Sequence, residues 1–536
     1  MSESSQTDAL MTTGLRRELG LLALVATAVC TVIGGGINVL TVEIQGKVPG
    51  IGDLVPLAFA LGAIPALFTA LSYAVLASAM PRAGGGYIYI SRALHPFIGF
   101  IATFSKWFGL ACACGVIAYI DVTLLKAATM YAHLPAATAF LSTNAARLWI
   151  PVGLVWLFWL INLLGVRKYG ITVIVLMILM LMGGAVIIAA GFFTSPERWT
   201  ALADQAGTWG TVHELIEANP YTQGGLRTVV QAVSVLFFAY IGFASISQAG
   251  GEARNPARTL PRAFVIATVV ITGYYMLFAG AVYHTVPWQW ISGVVAQQEM
   301  EISVPEVFGV LLPPGLAVFV ALMAAIALAN DIPPILLAVS RLFYSWAEDG
   351  IFPRKLADVN RRFGTPHWAL TISALVATLV VFECHYHGFF KGVDTVVVAL
   401  CFTYLLVGLA VITFPYRNTH LYQKVAFIRS RTAQIVVAAL TIITIATLLY
   451  TQIQADLAAL ITRTHQLLNQ GLAAPYALLV ALPQSMVVLW LLAVVVGAII
   501  FAAMWCARRA AGEDPGKVFQ ALPLESSDEA DNSSLI

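Results

Sequence analysis

Twelve runs of about twenty apolar residues fill most of this 536-residue chain, near 21–42, 54–79, 97–126, 149–165, 170–192, 226–248, 261–284, 315–345, 366–384, 393–414, 433–452 and 484–507. A helix of that length crosses the hydrocarbon core of a bilayer. Hydrocarbon offers no hydrogen bonds, so each run must satisfy its own main chain, and a helix does so. Composition agrees: 59% of residues are hydrophobic and 10% charged, too few charges to coat a soluble surface of this size. The expected fold class is an all-α polytopic membrane protein with twelve transmembrane helices.

The first run carries Ile33-Gly34-Gly35-Gly36-Ile37 at its centre. Each glycine costs roughly 1 kcal/mol relative to alanine in a helix. An unbroken helix has no use for three in a row, so the pattern predicts a break. Inside a bilayer, open main chain is tolerated only against protein or a water-filled cavity, which makes the break a place where N–H and C=O groups meet a ligand. Close packing of small residues is the alternative reading. A second irregular run favours the ligand: Phe237-Phe238-Ala239-Tyr240-Ile241-Gly242-Phe243, followed by Ser245, Ser247 and Gly250-Gly251-Glu252. Spans 1 and 6 are then discontinuous at matching positions of two five-span halves, a 5+5 inverted repeat with the site at its midplane. The expected division is a polar segment 1–20, a transport core 21–414, spans 11 and 12 within 415–507, and an acidic, serine-containing tail 508–536 read as disordered.

When the loops are alternated between two sides, twenty Lys and Arg fall on the side holding both termini and six on the other, with Lys106, Lys126 and Arg341 in or at the ends of spans. That bias predicts cytoplasmic termini and a multi-pass protein of the cell membrane, with the bilayer as partner and no support for nucleic acid. Arg16 and Arg17 lead into span 1 without a small-residue cleavage site, so the span is read as retained. The long outer loops near 193–225, 285–314 and 453–483 are candidates for short interfacial helices, the second carrying Glu299, Glu301 and Glu306. Cys30, Cys112, Cys114, Cys384, Cys401 and Cys506 lack metal or disulfide spacing and are read as packing residues.

Three motifs carry a family resemblance: Met80-Pro81-Arg82-Ala83-Gly84-Gly85-Gly86-Tyr87; Gly251-Glu252-Ala253-Arg254-Asn255-Pro256 before Leu260-Pro261-Arg262-Ala263; and Ser340-Arg341-Leu342-Phe343-Tyr344 with Asp349-Gly350. In this order over spans 1 to 10, the chain resembles the amino acid, polyamine and organocation permease family. The resemblance implies the leucine-transporter-like five-plus-five fold and transport by alternating access, as a symporter, exchanger or uniporter. It also implies a substrate site. Amides at Gly35 and Gly36 would hold a carboxylate, and carbonyls of Val32, Phe238 and Ile241 an ammonium, as helix-end polarity allows, with Gly34 and Ala239 among the substrate-binding positions. Phe238 stands where the family places an aromatic that closes over substrate, with ordinary packing as the alternative. Cys112 and Cys114 fall where the family lines a side-chain pocket, or are small packing residues. Ala244 takes the place of an acid found in many relatives, which points to a neutral amino acid.

Lys106 and Asp331 lie well inside spans 3 and 8, at the same expected depth of about 15 Å. A lone charge there costs about 3 kcal/mol or more, so an ion pair between them is expected. Asp331 precedes Pro333-Pro334, which frees carbonyls of the preceding turn. It is a candidate for coupling to Na⁺ or H⁺, with Lys106 modulating it, and no other cofactor is called for. Glu252 is a gate or proton candidate, or an ion-pair partner of Arg82 or Arg254. Glu383-Cys384-His385-Tyr386-His387 reads as hydrated loop rather than metal site, and Asp121 and Lys126 as snorkelling residues. Neutral amino acid uptake or exchange is the leading expectation, a polyamine or organocation permease the alternative, and a substrate-sensing receptor that moves nothing the reading from another class. No metalloprotease or nucleophile-elbow motif suggests an enzyme.

Overall fold

A computed structural model describes residues 15–34, 36–207, 211–217, 219, 221–297, 302–387 and 395–522. Among them, twelve spans are long and apolar enough to cross a membrane: Leu21–Lys47, Gly52–Ala79, Pro96–Tyr131, Asn144–Leu163, Val166–Phe192, Leu226–Gln248, Pro256–Thr285, Pro314–Glu348, His367–Tyr386, Thr395–Arg417, Arg431–Asn469 and Met486–Ala510. The twelve expected spans are all present. Gly35, Glu299, Glu301 and the acidic tail beyond Leu522 lie outside the described residues.

Span 1 is two helices, Leu21–Val32 and Gly36–Lys47, with Ile33 out of helical geometry at φ −89° and ψ 79°. Span 6 runs as a helix over Leu226–Leu236, tightens to a 3-10 turn over Phe237–Tyr240 and opens at Ile241, which is extended at φ −72° and ψ 130°. A short helix, Ser245–Gln248, resumes beyond. A third interruption falls in span 8 between Pro314–Ala329 and Ile332–Glu348. Its cause is local: Pro333 and Pro334 have no N–H to give to Ala329 and Asn330.

Packing brings the interruptions together. Span 1 is held against spans 5, 7 and 8, span 2 packs along span 7, and span 3 along span 8. Gly242 is where span 6 touches span 1. Its φ is +129°, and a Cβ there would lie 2.6 Å from the Thr31 carbonyl oxygen, so neither the backbone angle nor the space admits a side chain.

Several boundaries differ from expectation. Residues 86–93, expected as loop, form the helix Gly86–Ala93 with all eight residues buried. Span 11 continues to Asn469, absorbing half of an expected loop. Glu383 to His387 belong to the helix His367–His387 rather than to a loop, with Cys384 buried against Cys112, Val116 and Val380. Asp121 is also buried rather than snorkelling. The connections after spans 5, 7 and 11 hold the short helices Pro196–Ala206, Val212–Glu217, Trp288–Gln297, Val304–Gly309 and Ala474–Ala481.

Both described chain ends lie at one end of the bundle. Leu19 N–H donates to Glu252 O at 2.9 Å, and Arg254 N–H to Leu19 O at 2.8 Å. There Arg92 grips Asp349 with two guanidinium nitrogens at 2.6 and 2.7 Å, while the Tyr87 hydroxyl donates to the same carboxylate at 2.5 Å. Arg341 grips Glu252 in the same two-pronged way, through Nε at 3.2 Å and through Nη2. Its side chain and that of Glu252 are about 1% and 0% exposed. The expected partners of Glu252 were loop arginines. Arg341 replaces them because span 8 runs seven residues further, to Glu348, and carries Arg341 inside the helix. Deleting one member of such a pair costs about 3–5 kcal/mol, whereas the pair itself adds little net stability, so these contacts specify a closed arrangement.

Gly242→Ala is expected to lower the melting temperature of the purified protein by an amount equivalent to about 1–3 kcal/mol of backbone strain. Gly273→Ala, in a helix with nothing within 4 Å of the added methyl, is the matched control. Equal melting temperatures for the two variants would remove Gly242 from its structural role.

Candidate functional site

The three interruptions surround a cavity of about 200 Å³. Of the expected site residues, Val32, Gly34, Gly36, Phe238, Ala239, Ile241 and Asp331 line it. Residues some 200 positions apart therefore meet as the broken-helix pattern requires.

Gly36 opens the second half of span 1, so the first N–H groups of that helix have no intrahelical acceptor and face the break. Carbonyl density comes from the other side. The Phe238 carbonyl accepts from Ile241 N–H at 3.1 Å, closing the tight turn of span 6. The Tyr275 hydroxyl, from span 7, stands 2.7 Å from Val32 O and 2.8 Å from Ala239 O. With one proton it donates to one of them at a time, and each carbonyl keeps a lone pair. Tyr275 thus ties the ends of both broken helices. Tyr404 of span 10 has its hydroxyl 3.5 Å from Gly242 N. Sequence reasoning missed both tyrosines; a phenol within an apolar run is the one signal that could have marked them, and many such phenols only pack.

Phe238 is 41% exposed although it stands on the cavity wall. Span 3 contributes Leu110, Ala113 and Ile117, spaced for one helical face. Cys114 is fully buried beside that face and Cys112 packs toward span 9, so the expected cysteine lining is corrected to an apolar one.

Asp331 sits at the span 8 interruption with its carboxylate against Gly34; a Cβ on Gly34 would collide with both carboxylate oxygens. Its Oδ1 has no hydrogen-bond partner. The expected ion pair with Lys106 does not form. Lys106 Nζ has no hydrogen-bond partner and faces a separate cavity of about 10 Å³ beside Thr31, Gly242 and Ser245. The reason is depth. Lys106 lies ten residues past Pro96, about 15 Å into span 3, whereas Asp331 lies seventeen residues before Glu348, about 26 Å from the same end. Leu110 and Ile335, which border both cavities, fill the gap between them. Glu252 is at the closed end of the bundle and takes no part in the cavity wall.

Between the cavity and the ion pairs lies an aromatic layer. Trp107 meets Phe343 edge to face at 4.8 Å, and Phe100, Trp346 and Phe352 complete it. No group of three or more potential metal ligands occurs among the described residues.

Residues 19–468 match the amino acid permease family. An uncharacterised transporter of Mycobacterium tuberculosis is 29% identical over 368 residues, which cover 68% of this chain and 74% of that protein. A branched-chain amino acid permease of Bacillus subtilis is 26% identical over 384 residues, covering 68% and 75%. A vacuolar cationic amino acid transporter of Arabidopsis thaliana is 25% identical over 386 residues, covering 69% and 59%. With the match spanning most of the chain and twelve apolar spans around a main-chain cavity, this protein belongs to the amino acid permease family and is a multi-pass membrane amino acid transporter, not an enzyme.

Proposed function

We propose that the chain carries a neutral, apolar amino acid by alternating access, with the zwitterionic head on main chain at the two broken helices and both termini in the cytoplasm. The observation that carries this reading is the convergence of the span 1 and span 6 interruptions on one small cavity. The opening N–H groups of the helix at Gly36 receive the carboxylate, and carbonyls at Val32, Phe238 and Ile241 receive the ammonium. Helix-end polarity favours that orientation over the reverse. At about 200 Å³ the cavity is smaller than the roughly 300–1,000 Å³ of drug-sized sites and suits one amino acid.

The side chain meets Leu110, Ile117, Ile335, Val396 and Leu400. That wall, with Ala244 where many relatives carry an acid, supports an aliphatic side chain, and the Bacillus subtilis relative is named for branched-chain substrates. Asp331 favours a second reading, a cationic substrate such as a basic amino acid or polyamine. Its position against Gly34 fits better with a coupling cation, Na⁺ or H⁺, drawn to a carboxylate and the carbonyls freed by Pro333 and Pro334.

In proteoliposomes, uptake of radiolabelled leucine is expected to be competed by isoleucine and valine and at least tenfold less by lysine or putrescine. Stronger competition by the cations would transfer the site to the second reading. Asp331→Asn is expected to abolish the dependence of uptake on an imposed Na⁺ or H⁺ gradient while sparing counterflow exchange. Full gradient dependence in that variant would exclude the carboxylate from coupling.

A further inference from the structure

A cavity of about 530 Å³ opens at the end of the bundle that holds both described chain ends, apart from the substrate cavity. Among the described residues its wall carries Arg17, Arg82, Arg258 and Lys424 and no Asp or Glu. Arg258, at the start of span 7, and Lys424, between spans 10 and 11, face this hollow from two elements, and an anionic occupant between them is attracted by both. Leu522, the last described residue, forms part of the same wall.

The chain is brought to this rim by specific contacts. Phe519 is 5% exposed and lies under the Arg92 guanidinium, 5.5 Å from ring centroid to Cζ. Asn418 Nδ2 donates to Gln520 O at 3.1 Å, and Arg92 Nε to Ala521 O at 3.1 Å. Three residues past Leu522 begins Glu525-Ser526-Ser527-Asp528-Glu529-Ala530-Asp531, with four carboxylates. Three extended residues reach roughly 10 Å. Four acids are therefore tethered beside a basic hollow, at an effective concentration on the millimolar scale that a free anion must exceed.

We propose that this cavity is the docking site of the chain's own acidic segment, Glu525–Asp531. Docked there, the segment ties the loop after span 2, the start of span 7 and the connection between spans 10 and 11 into one unit. It also continues the strap that crosses Arg92, one half of the ion pair with Asp349. An anionic lipid headgroup shares the chemistry but lacks the tether.

The test uses the full chain in phosphatidylcholine vesicles, with Cys506→Ser removing the exposed thiol and Ala257→Cys and Asp528→Cys placing one thiol on the wall and one in the segment. A short bismaleimide is expected to link the two. The yield should fall several-fold at about 1 M NaCl, where the screening length is about 3 Å. It should fall equally with added Arg258→Glu and Lys424→Glu, and recover when Glu525→Lys and Glu529→Lys are added to those. Absence of the link, or a yield indifferent to salt and to charge reversal, overturns the proposal. So does a link that is lost in phosphatidylglycerol vesicles, which assigns the cavity to a lipid headgroup.

Discussion

Main chain that leaves helical pairing, at Ile33 and Gly34, at Ile241 and Gly242, and at the Ala329 and Asn330 carbonyls that Pro333 and Pro334 cannot serve, is the constraint that organises this molecule. Each unsatisfied polar group away from water costs several kcal/mol, so three such interruptions can coexist in a bilayer only by facing one another, a solvent cavity, or side chains placed to serve them. Tyr275 serves the carbonyl ends of spans 1 and 6. Gly242 lets those spans approach to contact at Thr31. Asp331 fills the space left by Gly34. What these partners leave unserved, the opening N–H groups at Gly36 and the second lone pairs of the carbonyls, matches the two charges of an amino acid.

The two ends of the bundle are built differently. The end that carries both described chain ends is shut by Arg92–Asp349, Arg341–Glu252 and an aromatic layer, while the cavity above keeps Phe238 exposed. Buried ion pairs contribute little net stability but tolerate few alternative arrangements. A seal of this kind defines one closed state and can be rehydrated on opening, where an apolar seal of equal area would resist water. Alternating access needs that reversibility. The strap at Phe519 to Ala521 leans on the same Arg92, so the described chain end is mechanically continuous with the seal.

Much of this was legible in the sequence because hydrocarbon leaves so few options. Twelve apolar runs became twelve spans, and Gly34 to Gly36 and the Phe238–Gly242 stretch marked the two interruptions where they occur. Pro333-Pro334 pointed to freed carbonyls, and span 8 is interrupted just before them, between Ala329 and Ile332. What failed was what depends on tertiary register. Lys106 and Asp331 look equally deep only if Arg341 ends its helix. Once span 8 extends to Glu348, Asp331 moves about a helical turn or more beyond the reach of Lys106, and Arg341 becomes the internal partner of Glu252. Cys114, four residues after Leu110 on the same side of span 3, is fully buried rather than on the cavity wall, a distinction that hydrophobicity does not encode in an all-apolar span. Tyr275 and Tyr404 are chosen by where the broken ends lie, which no local pattern records.

The most direct measurement is the affinity of the purified protein for its tightest-binding amino acid, set beside that amino acid's decarboxylated amine and its deaminated acid. A main-chain receptor for both charges predicts that each analogue binds about 10- to 100-fold more weakly, the worth of roughly 1.5–3 kcal/mol for a lost hydrogen-bonded charge. An amine or an acid that binds as tightly as the parent would contradict it.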